Sequence, residues 1–318
     1  MHEAIPSRTA LRVALRRAAH QMKDAKPLAF DDPLAVRILG KEFQEELKRT
    51  PDSVKRPFSA GLRAFMVARA RLAEDTLAAG VRRLGVRQYL VLGAGLDTFA
   101  CRNAYSDVRV FEVDHPATQA WKMEMLAGAG IVPPESARFV AVDFERAASG
   151  LEPQALRERL REAGFDASVP TVTAWLGVVP YLTLEAFRAT TALLGGFARG
   201  SEVVFDYSQP RAVLGWQEQW MLDSMASRVA QAGEPFQLFF TPEELAAELQ
   251  RAGMRVVEDL DSAALTARYF AGRTDGLLVR GKTARMCVAG SQEAGPQVAG
   301  SQEAGSQEAG SQEAGVRD

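Results

Sequence analysis

The sequence predicts an α/β fold in which a mainly parallel sheet is covered by helices on both faces. Three observations predict it. Seven short runs are rich in Val, Leu and aromatic residues, amphipathic stretches separate most of them, and the first run ends in a glycine turn. Strands buried on both faces read as continuous apolar runs, whereas one-sided sheets alternate apolar with polar.

The strand-like runs lie at 88–93 (QYLVLG), 108–113 (VRVFEV), 138–142 (RFVAV), 171–176 (TVTAWL), 201–206 (SEVVFD), 254–259 (MRVVED) and 283–289 (TARMCVA). Helical stretches at 116–127, 154–163 and 184–194 fall between them. A further amphipathic helix over 211–232 carries Trp216, Trp220, Met221 and Met225, an insertion between the fifth and sixth strands. Residues 1–84 read as helical. Ser7 is placed to cap a helix bearing Leu11, Val13, Leu15 and Ala18, and Asp31-Asp32-Pro33 is a helix-start signal. Leu62, Phe65, Met66, Ala70, Leu72 and Leu77 follow helical spacing over 59–80. Residues 85–289 then form the core domain.

From Gly290 a five-residue unit repeats as GSQEA, GPQVA, GSQEA, GSQEA, GSQEA. Such a segment has too little apolar surface to offset its ordering entropy, so 290–318 is expected to be a disordered tail. The whole chain has 318 residues, 47% hydrophobic, and a formal net charge of -2, which argues against nucleic-acid or anionic-membrane partners. Cys101 and Cys287 are too few for a disulfide framework, and His2, His20 and His115 form no zinc spacing with them, so no metal is expected. With no apolar leader and no membrane-length apolar run, the expected location is the cytoplasm. The sequence does not specify an oligomeric state.

Leu90-Val-Leu-Gly-Ala-Gly-Leu-Asp-Thr98 is the strongest local signal. Glycines at Gly93 and Gly95, flanking Ala94, let the backbone approach a ligand at the carboxyl end of a strand. The second run ends Phe111-Glu112-Val113-Asp114-His115-Pro116, and an acid there accepts hydrogen bonds from ribose hydroxyls. Glu112 and Asp114 alternate with Val113, so both point the same way. The third run ends Ala141-Val142-Asp143-Phe144, offering a carboxylate to an adenine amino group and a ring beside it. A dinucleotide site prefers Gly-x-Gly-x-x-Gly, but Thr98 holds the third glycine position, which suits a ligand without pyrophosphate. The alternatives are an NAD(P)-dependent oxidoreductase and a non-catalytic nucleoside-binding protein. Gly276-Leu-Leu-Val-Arg-Gly281-Lys282-Thr283 matches a P-loop pattern, but a strand-like run follows it where a helix is required.

These strings together resemble the leucine carboxyl methyltransferase-like family of S-adenosylmethionine-dependent methyltransferases. LGAGLDT, FEVDHP and VAVDF carry the likeness, with Arg8-Thr9-Ala10, Asp32-Pro33, Met66-Val-Ala-Arg69, Trp175-Leu-Gly-Val-Val-Pro-Tyr181-Leu and Phe205-Asp206-Tyr207. The resemblance implies a Rossmann-like seven-stranded methyltransferase fold with a reversed last strand and an N-terminal helical cap. It implies S-adenosyl-L-methionine as cofactor, held by Arg69 at its carboxylate, by the loop Gly93-Ala94-Gly95, by Asp114 at the ribose and by Asp143-Phe144 at the adenine. Two positions depart from the family pattern: Phe99 stands where Arg often follows Asp-Thr, and Leu176 precedes Gly177 where the family often has Glu.

The expected reaction is O-methylation of a carboxyl or hydroxyl group on a small, partly apolar, polyketide-like molecule in secondary metabolism. A carboxylate acceptor needs no base, whereas a hydroxyl benefits from one. His115, Tyr181, Asp206 and Tyr207 are the candidates for that role. Trp216, Trp220 and Phe239, with Phe236 and Phe240, are candidates for an apolar acceptor pocket.

Overall fold

The computed structural model of the chain describes residues 7–49, 57–142, 153–231 and 235–291. Seven strands form one sheet: β1 (Gln88–Leu92), β2 (Arg109–Asp114), β3 (Ala137–Ala141), β4 (Thr171–Trp175), β5 (Glu202–Ser208), β6 (Met254–Leu260) and β7 (Ala284–Ser291). Their order is β3-β2-β1-β4-β5-β7-β6. The first five strands are parallel, and β7 runs antiparallel to both β5 and β6. From β1 the chain winds outward to β2 and β3, then returns to β4 on the other side. This reversal leaves a crevice at the carboxyl ends of β1 and β4.

Alternation along the strands divides the core between two faces. Tyr89 and Val91 of β1, Ala174 of β4 and Val204 of β5 pack towards the long helix α4 (Pro57–Leu84). Leu90, Leu92, Phe111, Trp175 and Phe205 pack on the opposite side, where helix α7 (Leu184–Gly195) contributes Phe187 and Leu194. Trp175 stacks on Phe187 with ring centroids 5.7 Å apart. A third cluster joins α1 (Arg8–Lys23) and α2 (Leu34–Arg37) to the core through Ala14, Ala18, Leu34 and Ile38 packed with Leu96 and Leu126.

Local signals account for most boundaries. Ser7 caps α1 by accepting from the Ala10 amide at 3.1 Å, and Asp32 Oδ1 accepts from Ala35 N at 3.1 Å at the start of α2. Helix α3 (Gly40–Arg49) completes the N-terminal set, and α4 stops at Gly85, whose φ is 63°. Helices α5 (Pro116–Gly128) and α6 (Pro153–Glu162) occupy the expected crossovers. The insertion differs from expectation. A 3-10 turn at Arg211–Val213 and Gly215 delay helix α8 until Trp216, and it then runs to Gln231. Two further helices, α9 (Pro242–Arg251) and α10 (Ser262–Tyr269), flank β6. The first begins with a capping box between Thr241 and Glu244, a signal present in the sequence.

Strand β7 runs two residues into the stretch expected to be tail, because Gly290 and Ser291 pair with Arg255 and Met254 of β6. The remaining repeats, 292–318, lie outside the described residues. The P-loop-like string ends at Thr283, immediately before β7, so no helix follows its Lys282. Among the described residues no helix is long and apolar enough to cross a membrane.

Two of the buried ionic groups among the described residues tie helices to the ends of β1 and β2. Arg17 of α1 pairs with Asp97 Oδ2 and Asp32 Oδ2, each at 2.6 Å, and Thr98 donates to Asp32 Oδ1 at 2.7 Å. Arg102 forms a two-bond pair with Glu74 of α4 and donates to Thr98 at 3.0 Å. The second group is Glu112 of β2 with Lys122 of α5, both almost fully enclosed. Glu112 therefore faces a lysine rather than a ligand, although it alternates with Asp114 as the sequence implies.

Removing one member of an enclosed ion pair strands the other charge in a low-dielectric interior. Lys122→Met is expected to lower unfolding free energy by about 3–5 kcal/mol in urea titrations, and adding Glu112→Leu should recover much of it. Asp97 has a second signature. Its burial opposes ionisation, but Arg17, Arg102 and Lys122 outweigh that and hold the carboxyl well below its usual range. Its stabilising contribution should be complete above the unfolded carboxylate value of about 4 and fade as pH falls towards the depressed folded value. Melting curves from pH 6 to 3 should therefore fall more steeply for the native protein than for Asp97→Asn.

Candidate active site

A cavity of about 280 Å³ opens at the carboxyl ends of β1, β2 and β4. Helices α1 and α4 wall it on one side, and the turn after β4 closes the other.

Its floor is the loop after β1. Gly93 N and Ala94 N both donate to Val113 O, at 2.8 and 3.2 Å, so the loop is stitched to the end of β2. Gly93 has φ 66°, and a Cβ there would lie 2.4 Å from Val178 Cγ2. A side chain at this position would be strained and would also strike the turn after β4. Gly95 N donates to Asp114 Oδ2 at 2.5 Å, and His115 N donates to Asp114 Oδ1 at 2.7 Å. Burial raises the Asp114 carboxyl above its ordinary range, although both amide bonds favour the ionised form. Each oxygen keeps a lone pair for a ligand hydroxyl. Strand β3 ends beside it, with Val142 N donating to Asp114 O at 2.9 Å. Asp143 and Phe144 lie outside the described residues.

Arg69 projects from α4 into the cavity, and its Nη1 donates to Asp206 Oδ2 at 3.2 Å. The other oxygen of Asp206 accepts from Gly177 N at 2.5 Å. Asp206 thus joins α4 to the turn after β4. Gly177 has φ 71°, and a Cβ there would sit 2.7 Å from Arg69 Nη1. The glycine leaves room for the guanidinium.

The structure brings Arg69, Gly93, Ala94, Gly95 and Asp114 around one cavity. It separates the residues considered for base catalysis. Tyr181 lines the cavity from a 3-10 turn, its ring 5.2 Å from that of Phe236. His115 caps α5, with Nδ1 accepting from Ala117 N at 3.2 Å, which occupies the lone pair a base would use. Tyr207 lies in the opposite core and donates to Asp259 at 2.9 Å, and burial pushes its hydroxyl pKa far up. Asp206 is committed to Arg69 and Gly177. Trp216 and Trp220 do not line the cavity, and they are 78% and 70% exposed. Phe239 is half-buried and also outside it, while Phe240 packs in the core against Phe187.

Arg17, Glu74, Tyr89 and Asp97 are among the lining residues to which the motif reading gave no site role. Helical spacing held one usable signal, because Met66, Arg69, Ala70, Ala73 and Glu74 form a single face of α4. Asp97 sat within the glycine motif, without a partner to identify its role.

Comparison with known proteins settles the family. The leucine carboxyl methyltransferase model matches residues 10–194. The chain belongs to the leucine carboxyl methyltransferase family. It is 31% identical over 294 residues to YktD of Bacillus subtilis, named as an S-adenosyl-L-methionine-dependent methyltransferase, covering 85% of this chain and 93% of that protein. It is 35% identical over 217 residues to a similarly named protein of Mycobacterium sp. strain KMS, covering 63% and 66%. A DUF574 family protein from Streptomyces avermitilis shares the fold, with TM-score 0.51 at 19% identity over 87% of this chain and 97% of the other. This leucine carboxyl methyltransferase family protein is an S-adenosylmethionine-dependent methyltransferase. The donor set fits that cofactor, since a glycine floor, an amide-held carboxylate and a guanidinium match its backbone-close, hydroxyl and carboxylate groups.

Gly177→Ala should strain the backbone and displace Arg69. The expected result is a lower melting temperature together with weaker S-adenosylhomocysteine binding by calorimetry, whereas Gly253→Ala, whose added Cβ meets nothing within 4 Å, should strain only its own turn.

Proposed function

We propose that this methyltransferase forms the methyl ester of a small, partly apolar carboxylic acid. The observation that carries this reading is the commitment of the acidic side chains that line the cavity. Asp97 is paired with Arg17, Glu74 with Arg102, and Asp114 is held by two amides. A hydroxyl acceptor would benefit from a base, whereas a carboxylate attacks in its resting ionised form.

Asp114 receives the ribose hydroxyls, Gly93-Ala94-Gly95 lets the backbone approach the amino-acid portion, and Arg69, aligned by Asp206, binds the cofactor carboxylate. Asp143 and Phe144 are assigned to the adenine. The bound cofactor supplies an electrophilic methyl group on a sulfonium. The protein contributes alignment of the two reactants, which is worth roughly 7–11 kcal/mol in a well-oriented pair. Tyr181, Leu182 and Met66 offer apolar surface at the cavity wall for the acceptor. Trp216, Trp220 and Phe239 are assigned to the outer part of a polyketide-like acceptor that extends beyond the cavity.

Turnover with a labelled methyl donor over a panel of carboxylic acids and phenols tests the reading. Products should release labelled methanol in mild base, as esters do, and a base-stable ether would redirect the assignment to a hydroxyl acceptor. Asp114→Ala is expected to weaken S-adenosylmethionine binding at least tenfold, about 1.4 kcal/mol, in calorimetry. Trp220→Ala should raise the acceptor KM with little change in kcat, and an unchanged KM would remove α8 from the acceptor site.

A further inference from the structure

We propose that Gln237 is a positioning residue for the acceptor: with the two backbone amides beside it, its side-chain amide holds the turn that presents Tyr181 to the cavity. The proposal rests on the acceptor reading above, in which Tyr181, Leu182 and Met66 meet the apolar part of a carboxylic acid. It adds the stretch of chain that sets how firmly that wall is held.

The first observation concerns carbonyls. Tyr181 ends a 3-10 turn of three residues, Val179–Tyr181, that follows β4. Within the turn, Tyr181 N donates to Val178 O at 3.0 Å and Leu182 N donates to Val179 O at 3.1 Å. So short a turn leaves its later carbonyls without donors of its own, and such groups need partners from elsewhere. Gln237 N and Leu238 N donate to Pro180 O at 2.8 and 3.2 Å. Gln237 Nε2 donates to Tyr181 O at 2.7 Å, across 56 residues of sequence. One short segment thereby satisfies two successive carbonyls of the turn.

The second observation is anchorage. Residues 235–241 have no regular secondary structure, so no ladder or helix holds the segment in place. It is fixed from two sides instead. Leu238 and Phe240 are buried in the same core cluster as Val179 and Leu182. Phe240 N also donates to Ser208 O at 3.0 Å, at the last residue of β5. The segment is a splint between β5 and the turn after β4.

The third observation is what remains for Gln237 itself. Its residue is exposed, so burial gives no reason for its side chain to lie along the turn. What the side chain contributes is the bond to Tyr181 O. Phe236, the residue before it, is half-buried and meets the Tyr181 ring with centroids 5.2 Å apart at 45°. Tyr181 is thus held at its backbone by Gln237 and at its ring by Phe236, and it lines the cavity. A turn free to rotate would swing that ring, and the alignment of two reactants tolerates little displacement.

The test is a fluorescence titration of the full chain with cis-parinaric acid, a fluorescent apolar carboxylic acid, at saturating S-adenosylhomocysteine. Gln237→Met keeps the length of the side chain and removes its donor, whereas Gln237→Lys puts an N–H donor back on a long stem. The Met variant should bind parinarate about fivefold more weakly, and the Lys variant should stay within twofold of the native protein. Both should bind S-adenosylhomocysteine within twofold of native in calorimetry. Tyr181→Ala should weaken parinarate at least tenfold. Native parinarate affinity in Gln237→Met, with Tyr181→Ala weakened, would overturn the role of Gln237 and leave the acceptor reading standing. Equal weakening of parinarate by the Met and Lys variants would overturn it too, as would equal weakening of parinarate and S-adenosylhomocysteine by Gln237→Met. Unchanged affinity in Tyr181→Ala, or no parinarate binding by the native protein, would bring down the acceptor reading and the proposal with it.

Discussion

The grip of two backbone amides on the Asp114 carboxylate determines where this protein does its chemistry. One amide comes from the glycine loop and the other from the first turn leading into α5. Together with the bonds from Gly93 and Ala94 to Val113, they fix the loop after β1 against the end of β2. The crevice created by the reversal of strand order thus acquires a rigid floor. Every other wall is referred to that floor: α1 through Arg17 and Asp97, α4 through Glu74 and Arg102, and the turn after β4 through the space that Gly93 leaves for Val178.

The sheet was legible because its signal is local. Apolar runs such as Leu90-Val91-Leu92 and Val203-Val204-Phe205 have one physical interpretation when helical stretches separate them, and each became a strand within a residue or two of expectation. The glycine loop and Asp114 were legible for a related reason, since close backbone approach and a strand-end acid leave compositional traces. The polar wall of α1 and α4 was not. Arg17, Glu74 and Asp97 derive their positions from partners far apart in sequence, up to 80 residues for Arg17 and Asp97. No window of the chain contains that information. Glu112 shows the complementary failure, because strand alternation fixed its direction correctly and only the fold revealed Lys122 waiting for it.

The aromatic residues after β5 separate composition from placement. Phe240 became core, Phe236 came to rest on Tyr181, and Trp216 and Trp220 were left facing outward. Their density in the sequence suggested one pocket, but helix phase and the delayed start of α8 distributed them over three environments. Asp206 changed meaning similarly. Considered alone it is a strand-end acid available for proton transfer. With Arg69 on one oxygen and Gly177 on the other, it is a hinge pin between two walls.

The place of β7 between β5 and β6 carries a consequence for biosynthesis. Strand β6 has no sheet neighbour other than β7, and β5 borders β7 along its free side. As the ribosome extends the chain, both strands are therefore made before the segment that joins them, leaving two unsatisfied edges in the nascent domain. Completion of the sheet must wait for residues 284–291, so a chain interrupted shortly before them would expose sticky backbone beside an otherwise finished parallel half.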